Sequence, residues 1–421
     1  MIHTFTVLPG ITLRCIPDKR FKQGRFSLQL VRPMCREEAG LNALLPAVLL
    51  RGSRSCPDLC AITRRLDTYY GASVGAVCRR VGDYQTTGLS CGLLEDRFAM
   101  AGDRILEPMM DFLRELLLEP ALEDGVFLSD FVEGEKRNLL SAIETQGNDK
   151  RYYAMEQLLR KMCCRDSFGI PRLGEPEQIQ AITPQSLYAH YGKILAESPV
   201  EMIYAGAAQP ETVARLAEDF FRQLPRNPVP RLPQTPFLAG PETDTFETQE
   251  INQGKLCMGF TTGVTIRDPD FAAMQLCNLI FGGGQTSKLF MQVREASSLC
   301  YAIDSAYHGG KGLITVAAGI DTGKEALVRE QILAQLEACQ KGQITNQELT
   351  AAKESLRSGL LSTQDSPGAL EGYYSNAVLS GFGKSPAEYI RAAEAVTVEQ
   401  VAEMAQKVRL HSVFFLKGVG K

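Results

Sequence analysis

The chain carries four histidines, His3, His190, His308 and His411. No two lie close enough in sequence for a local metal motif, so a hydrolase built on paired helical histidines is excluded. No G-x-S-x-G elbow accompanies any of the four. His308, in Tyr307-His308-Gly309-Gly310-Lys311-Gly312, reads as a solvent-facing turn residue between two strands. Twelve cysteines are scattered without a C-x-x-C pair. Cys56 and Cys60 are four apart, with no further metal partners in view, and Cys163 and Cys164 are adjacent. They read as reduced thiols, mostly small buried apolar groups. No cysteine stands near a histidine in sequence, which argues against a thiol nucleophile.

The stretch Phe281-Gly282-Gly283-Gly284-Gln285-Thr286-Ser287-Lys288-Leu289 invites comparison with a phosphate loop. The pattern fails, because Lys288 follows Ser287 instead of preceding it and no strand feeds the glycines. The physical reading is a helix end, a glycine turn and a new helix carrying Leu289, Phe290 and Val293 inward. Arg294 falls on that helix and Tyr301 follows seven residues later. On spacing alone, Arg294 neutralises a helix dipole and Tyr301 is a half-buried packing residue at a strand start. Tyr69-Tyr70 and Tyr152-Tyr153 read as packing residues as well.

These groups need a scaffold. The chain has 421 residues, 44% of them hydrophobic and 22% charged. That suits two or three globular domains with a sizeable core. Its 45 basic and 49 acidic residues give a net charge of −4. No basic stripe for nucleic acid is visible. Lys19-Arg20-Phe21-Lys22 sits between two alternating apolar runs and reads as a hairpin turn. The apolar run Ala43–Leu50 contains Pro46 and is far shorter than the about 20 residues of a membrane span. The N-terminal segment lacks the basic start and continuous apolar stretch of a signal peptide, which points to the cytoplasm.

Six prolines fall between Pro225 and Pro241. That density prevents helix and favours an extended linker. The expected domains are therefore 1–224 and 246–421, joined by a proline-rich linker at 225–245. The halves resemble each other. Thr183 and Thr397 each stand as an N-cap before a short helix, and each helix precedes a β-rich run ending in glycine, Gly206 and Gly418. The common order points to duplication. Strands are expected at Ile11–Ile16, Arg25–Val31 and Leu256–Gly263. Helices are expected at Ala39–Leu50, Asp270–Ile280, Glu107–Leu118, Phe127–Ile143, Lys324–Gln340 and Asn346–Leu361. Strand runs followed by helix runs argue for an α+β fold, two duplicated domains of antiparallel sheet packed with helices.

The segment from Phe281 to Tyr301, with its Gly-Gly turn, Ser-Lys-Leu-Phe helix, Val293-Arg294-Glu295 and Leu299-Cys300-Tyr301, resembles the second-half signature of the pitrilysin/insulinase metallopeptidase family. That family includes the mitochondrial processing peptidases, and its halves share the pitrilysin/LuxS-like fold. The resemblance covers nearly the whole chain. It implies an inverted zinc motif, H-x-x-E-H, in the first half. The matching frame here is Gly40-Leu41-Asn42-Ala43-Leu44-Leu45-Pro46-Ala47. Ala43 and Ala47 stand at the two zinc histidines and Pro46 at the general-base glutamate. The third ligand falls on Ala142, with Glu144 as the alternative. Zinc hydrolysis needs three ligands, an open water position and a base. The resemblance therefore implies a chain without zinc or other cofactor, inactive alone. Pro46 should also kink or break its helix.

In the same family an Arg and a Tyr at the spacing of Arg294 and Tyr301 hold substrate beside a zinc site. The Tyr hydroxyl donates to the carbonyl oxygen that becomes charged, and the Arg binds substrate backbone or carboxylate. In bacterial two-chain members one chain carries zinc and the other this pair. The resemblance implies a non-zinc subunit whose zinc-bearing homologous partner cuts peptide, the two chains enclosing a chamber. The branch associated with elongation factor P aminopentanol modification is similar in its erased motif and length. The alternative is a peptide-binding or structural scaffold subunit derived from the same family.

Overall fold

The computed structural model describes residues 2–418. The first half runs β1 (His3–Leu8), β2 (Ile11–Pro17), β3 (Gln23–Pro33), α1 (Arg36–Leu49), α2 (Leu59–Thr68), β4 (Ser73–Val81), β5 (Tyr84–Leu94) and α3 (Leu106–Leu118). A two-residue-strand hairpin follows, β6 (Leu122–Glu123) and β7 (Val126–Phe127), then α4 (Ser129–Asn148), α5 (Lys150–Met162), α6 (Pro176–Gln180), α7 (Pro184–Glu197), β8 (Val200–Gly206) and α8 (Pro210–Phe221). The second half runs β9 (Thr243–Gln249), β10 (Gly254–Thr261), α9 (Phe271–Phe281), a π-helix (Leu289–Ala296), β11 (Cys300–His308) and β12 (Leu313–Ile320). It ends with α10 (Glu325–Gln340), α11 (Asn346–Ser362), α12 (Pro367–Ser380), α13 (Pro386–Glu394), α14 (Val398–Lys407) and β13 (Arg409–Gly418).

Two compact units result, and neither is continuous in sequence. The first holds residues up to Ile143, Pro171–Pro233 and Thr363–Leu379; the second holds Glu144–Ile170, Gln234–Ser362 and the chain from Ser380 onward. The first thus takes nearly all of α12 from the second half, and the second takes α5 from the first. The main chain passes from one unit to the other at Pro233, inside the proline-rich segment, which has neither helix nor strand between Phe221 and Thr243.

In the first unit the strand order is β1-β2-β8-β3-β5-β4, antiparallel except for the parallel pair β2–β8. In the second it is β11-β12-β10-β13-β9, antiparallel except for β13–β9. Read from the parallel pair, the two orders coincide, with β2-β8-β3-β5-β4 matching β9-β13-β10-β12-β11. This is the duplicated α+β architecture, and both N-caps fit it. Thr183 Oγ1 accepts from Ser186 N and Thr397 Oγ1 from Gln400 N, each within a capping box.

In the first unit α1, α3, α7 and α8 cover one sheet face, where Phe26, Leu28 and Leu30 interleave with Leu44, Phe112, Leu116 and Ile194. Burying each such side chain contributes about 1.5–3 kcal/mol. The alternate residues of β3 face the other way, where α12 sets Leu370 and Tyr374 on Ile16, Phe21, Ile203 and Ala205. In the second unit α5 does the same, setting Ala154 and Leu158 on Cys257, Ala317, Phe414 and Leu416.

Two local expectations are corrected. Residues 18–22 do not close a hairpin, because β8 pairs with both β2 and β3 and lies between them. The segment crosses over the end of β8, with Asp18 N bonded to Gly206 O at 2.7 Å. Nor does Pro46 break α1, which continues to Leu49. The proline ring removes the N–H that would bond Asn42 O four residues back. Thr87 Oγ1 donates to that carbonyl instead, at 2.7 Å.

Candidate functional site

In the second unit, α9 ends at Phe281 and the N–H groups of Gly282 and Gly283 both bond Asn278 O at 2.9 Å. Gly282 O accepts from Ser305 N of β11, also at 2.9 Å. A Cβ on Gly282 would stand 2.7 Å from both Leu289 Cδ1 and Ser305 Oγ, so only glycine fits this approach. The following helix is fixed at its start by Lys288, whose Nζ pairs with Glu348 of α11 at 2.7 Å. Leu289 and Val293 are buried beneath it.

The helix is π-type, with Ser297 N bonded to Gln292 O five residues back. The wider turn keeps Phe290 half-buried instead of inward. Its ring carries the Arg294 guanidinium, 4.6 Å from the centroid. The helix terminates through Ser298, a non-glycine residue at φ 50°. That left-handed residue turns the chain into β11 and presents Tyr301, which is 62% exposed. The Tyr301 hydroxyl donates to Asp321 Oδ1 at 3.1 Å. Asp321 also pairs with Lys324 at 2.9 Å. Lys324 first and Tyr301 second hold the Asp321 carboxyl below the usual carboxylate range. Arg294 and Tyr301 therefore emerge from the two ends of one short turn, each with exposed surface. No hydrogen bond joins the two side chains among the described residues. Asp321 as the tyrosine's partner was not legible in sequence, since it lies on a different connection twenty residues away.

The positions aligned with a zinc motif lie in the first unit. Ala43 and Pro46 are buried on α1, Ala47 is half-buried one turn on, and Ala142 is exposed on α4. A methyl group or a pyrrolidine ring offers no lone pair to a metal, so this donor set does not fit zinc. Among the described residues no group of three His, Cys, Asp or Glu side chains could hold a metal ion. A histidine does reach α1: His190 of α7 lies 2.8 Å, through Nε2, from Asn42 Oδ1. Asn42 Nδ2 donates to Gln85 Oε1 at 2.9 Å, so its oxygen takes the His190 proton. Gln85 Nε2 closes the set on Ala39 O and Arg172 O. Burial pushes the His190 imidazole down to about 4, which leaves it neutral at pH 7. The site next to Ala43 is thus a satisfied buried network.

The remaining candidates are structural. His308 ends β11 half-buried, with Nε2 3.0 Å from Thr315 Oγ1 and its ring edge-on to Phe168, so it is not a solvent-facing turn residue. Tyr153 OH donates to Glu247 at 2.9 Å. Tyr70 and Tyr152 are exposed, contrary to a packing role. Burial pushes the thiols of Cys15, Cys91, Cys257 and Cys339 up to about 12, the opposite of an activated nucleophile.

The duplicated α+β fold, with a glycine turn leading to Arg294 and Tyr301, is the architecture of the M16 peptidases. Residues 181–356 match the family described as Peptidase M16 inactive domain. The chain is 27% identical to the probable inactive metalloprotease YmfF of Bacillus subtilis over 416 residues, covering 97% of this chain and 96% of that one. A conserved protein from Enterococcus faecalis superposes with a TM-score of 0.91 at 28% identity, covering 100% of this chain and 99% of that one. A peptidase M16 inactive domain from Pseudomonas fluorescens shares the fold, with a TM-score of 0.82 at 19% identity, over 100% of this chain and 98% of that one. No helix among the described residues is long and apolar enough to cross a membrane.

Proposed function

We propose that the chain is the non-zinc subunit of a two-chain peptidase, orienting peptide for a zinc-bearing homologue in the cytoplasm. The observation that carries this reading is an asymmetry. The Arg294/Tyr301 turn is intact and exposed, while Ala43, Pro46, Ala47 and Ala142 offer no metal donor or base. Tyr301 supplies a hydroxyl to the oxyanion of the scissile carbonyl, leaving Asp321 as substrate arrives. Arg294, stacked on Phe290, presents its fork to substrate backbone or carboxylate.

The test is capture of the tagged chain from its native cells, followed by mass spectrometry and assay of the reconstituted pair. A near-stoichiometric companion of similar length with an H-x-x-E-H motif is expected. Removing one oxyanion donor costs about 100-fold or more in kcat. Tyr301→Phe should therefore slow turnover on that scale, and Arg294→Ala should raise KM, with assembly unchanged. Unchanged turnover in both variants refutes the reading. A second reading, a non-enzymatic scaffold, is favoured by one observation, the engagement of the Tyr301 proton by Asp321. Under it the chain is captured alone or with an unrelated complex.

A further inference from the structure

In the first unit, the sheet face that α12 covers lies open beside the helix's first turn. A cavity of about 760 Å³ occupies that place. Its floor comes from adjacent strands, Arg25 of β3, Gly92 of β5 and Ser73 of β4, which are register neighbours. Asp365 and Ser366, with Pro367 and Gly368 at the start of α12, line another side, together with Glu371 and Arg79. A Cβ on Gly92 would stand 2.9 Å from Ser73 Oγ and 3.7 Å from Arg25 Nη1. The missing side chain at Gly92 lets the Ser73 hydroxyl and the Arg25 guanidinium approach the strand and meet at the floor of the cavity.

The two arginines differ in how they are held. Arg79 is fully engaged, with Nη1 on Glu371 Oε1 at 2.9 Å and Nη2 on Oε2 at 2.8 Å. Arg25 is half-buried, and its one hydrogen bond among the described residues runs from Nη2 to Ser90 Oγ at 2.7 Å. A guanidinium has five N–H donors in a fork that fits a carboxylate bidentately, so most of this one's capacity is open.

We propose that this cavity binds a carboxylate-bearing ligand on Arg25, and that the carboxylate belongs to a peptide, at its C-terminus or on an acidic side chain. The charges around it decide the anion. Lys22, Arg25 and Arg79 against Asp365 and Glu371 leave a single net positive charge, enough for one carboxylate but poorly matched to a phosphate dianion. The peptide source rests on the reading above; the carboxylate site does not, and its test needs no zinc-bearing partner.

The experiment is calorimetric titration of the intact chain with an acetylated pentapeptide ending in a free carboxylate, its C-terminal amide, the same amide carrying one glutamate, and inorganic phosphate. The free acid should bind and the plain amide should not. Binding of the glutamate peptide identifies an acidic side chain as a source, and its failure alone identifies the C-terminus. Arg25→Ala should weaken the acid at least about tenfold, a loss of some 1.4 kcal/mol, and Arg25→Lys should recover part of it. Since Ser90 is the one hydrogen-bond partner lost, Arg25→Ala should keep its circular dichroism and melting temperature. Equal binding of acid and amide, tighter binding of phosphate, or binding indifferent to Arg25 overturns the proposal. Failure to capture a partner chain leaves it untouched.

Discussion

Replacing Glu371 by leucine should cost the first unit about 3–4 kcal/mol. The carboxylate is almost wholly enclosed, with a side-chain exposure of 2%. Its Oε1 accepts from Ser27 Oγ at 2.6 Å, Gln29 Nε2 at 3.3 Å and Arg79 Nη1 at 2.9 Å, and its Oε2 from Arg79 Nη2 at 2.8 Å. Breaking a buried pair by removing one partner typically costs about 3–5 kcal/mol, because the other charge stays buried. Arg79 is 33% exposed and can partly rehydrate, which favours the lower part of that range. Ser27 and Gln29 are fully buried and lose an acceptor each, which keeps the cost from falling further. At about 2–4 °C per kcal/mol for a unit of this size, the melting temperature should drop by roughly 6–16 °C. Urea unfolding followed by circular dichroism, with the slope unchanged, measures the loss. Adding Arg79→Met should return part of it, since an apolar pair of similar volume leaves no stranded charge. A loss below about 1 kcal/mol, or a double variant no more stable than the single one, would refute the reasoning.

Two further outcomes follow from the first unit. Thr87→Val should cost about 1–3 kcal/mol by orphaning the Asn42 carbonyl, and Pro46→Ala should rescue it by restoring the helical N–H; equal losses in both backgrounds would disprove this account of the tolerated proline. Stability should also fall as the pH drops from about 6.5 towards 4, because His190 takes up a proton in the unfolded chain across that window and not in the folded one, a contribution of up to roughly 3 kcal/mol. In His190→Gln that part of the pH slope should vanish, and an unchanged slope would assign it elsewhere.

Local signals in the sequence were sound guides to local structure. Thr183 and Thr397 announce their helices through side-chain chemistry that acts over three residues. Gly206 and Gly418 end strands whose apolar character is visible in the chain itself. That Ala43 and Ala47 carry no metal donor is plain from their residue types alone. What sequence could not supply were partners distant along the chain. Nothing in residues 18–22 reveals that β8, nearly two hundred residues later, will insert between β2 and β3. The tolerance of Pro46 depends on a hydroxyl at Thr87, and the neutrality of His190 on an amide at Asn42. Phe290 was misplaced because an α-helical period was assumed where the backbone takes a π turn. Arg25 reads as one more strand cation until the cavity it lines, and its single hydrogen bond, are seen.

The exchange of α5 and α12 between the units also constrains how the molecule is made. When the ribosome has released the chain as far as Pro233, every strand of the first sheet exists, but one of its faces still lacks a cover. Ile16, Phe21, Ile203 and Ala205 wait for Leu370 and Tyr374. At about 5–20 residues per second, the roughly 150 residues in between take on the order of ten seconds to emerge. During that interval the nascent first unit presents an apolar sheet face, with the Ser27 hydroxyl and the Gln29 amide N–H lacking their acceptors on Glu371 and Ser375. Such a surface is a natural substrate for chaperones. A gene split at the proline-rich segment should yield two fragments that are each sticky alone and become soluble when synthesised together.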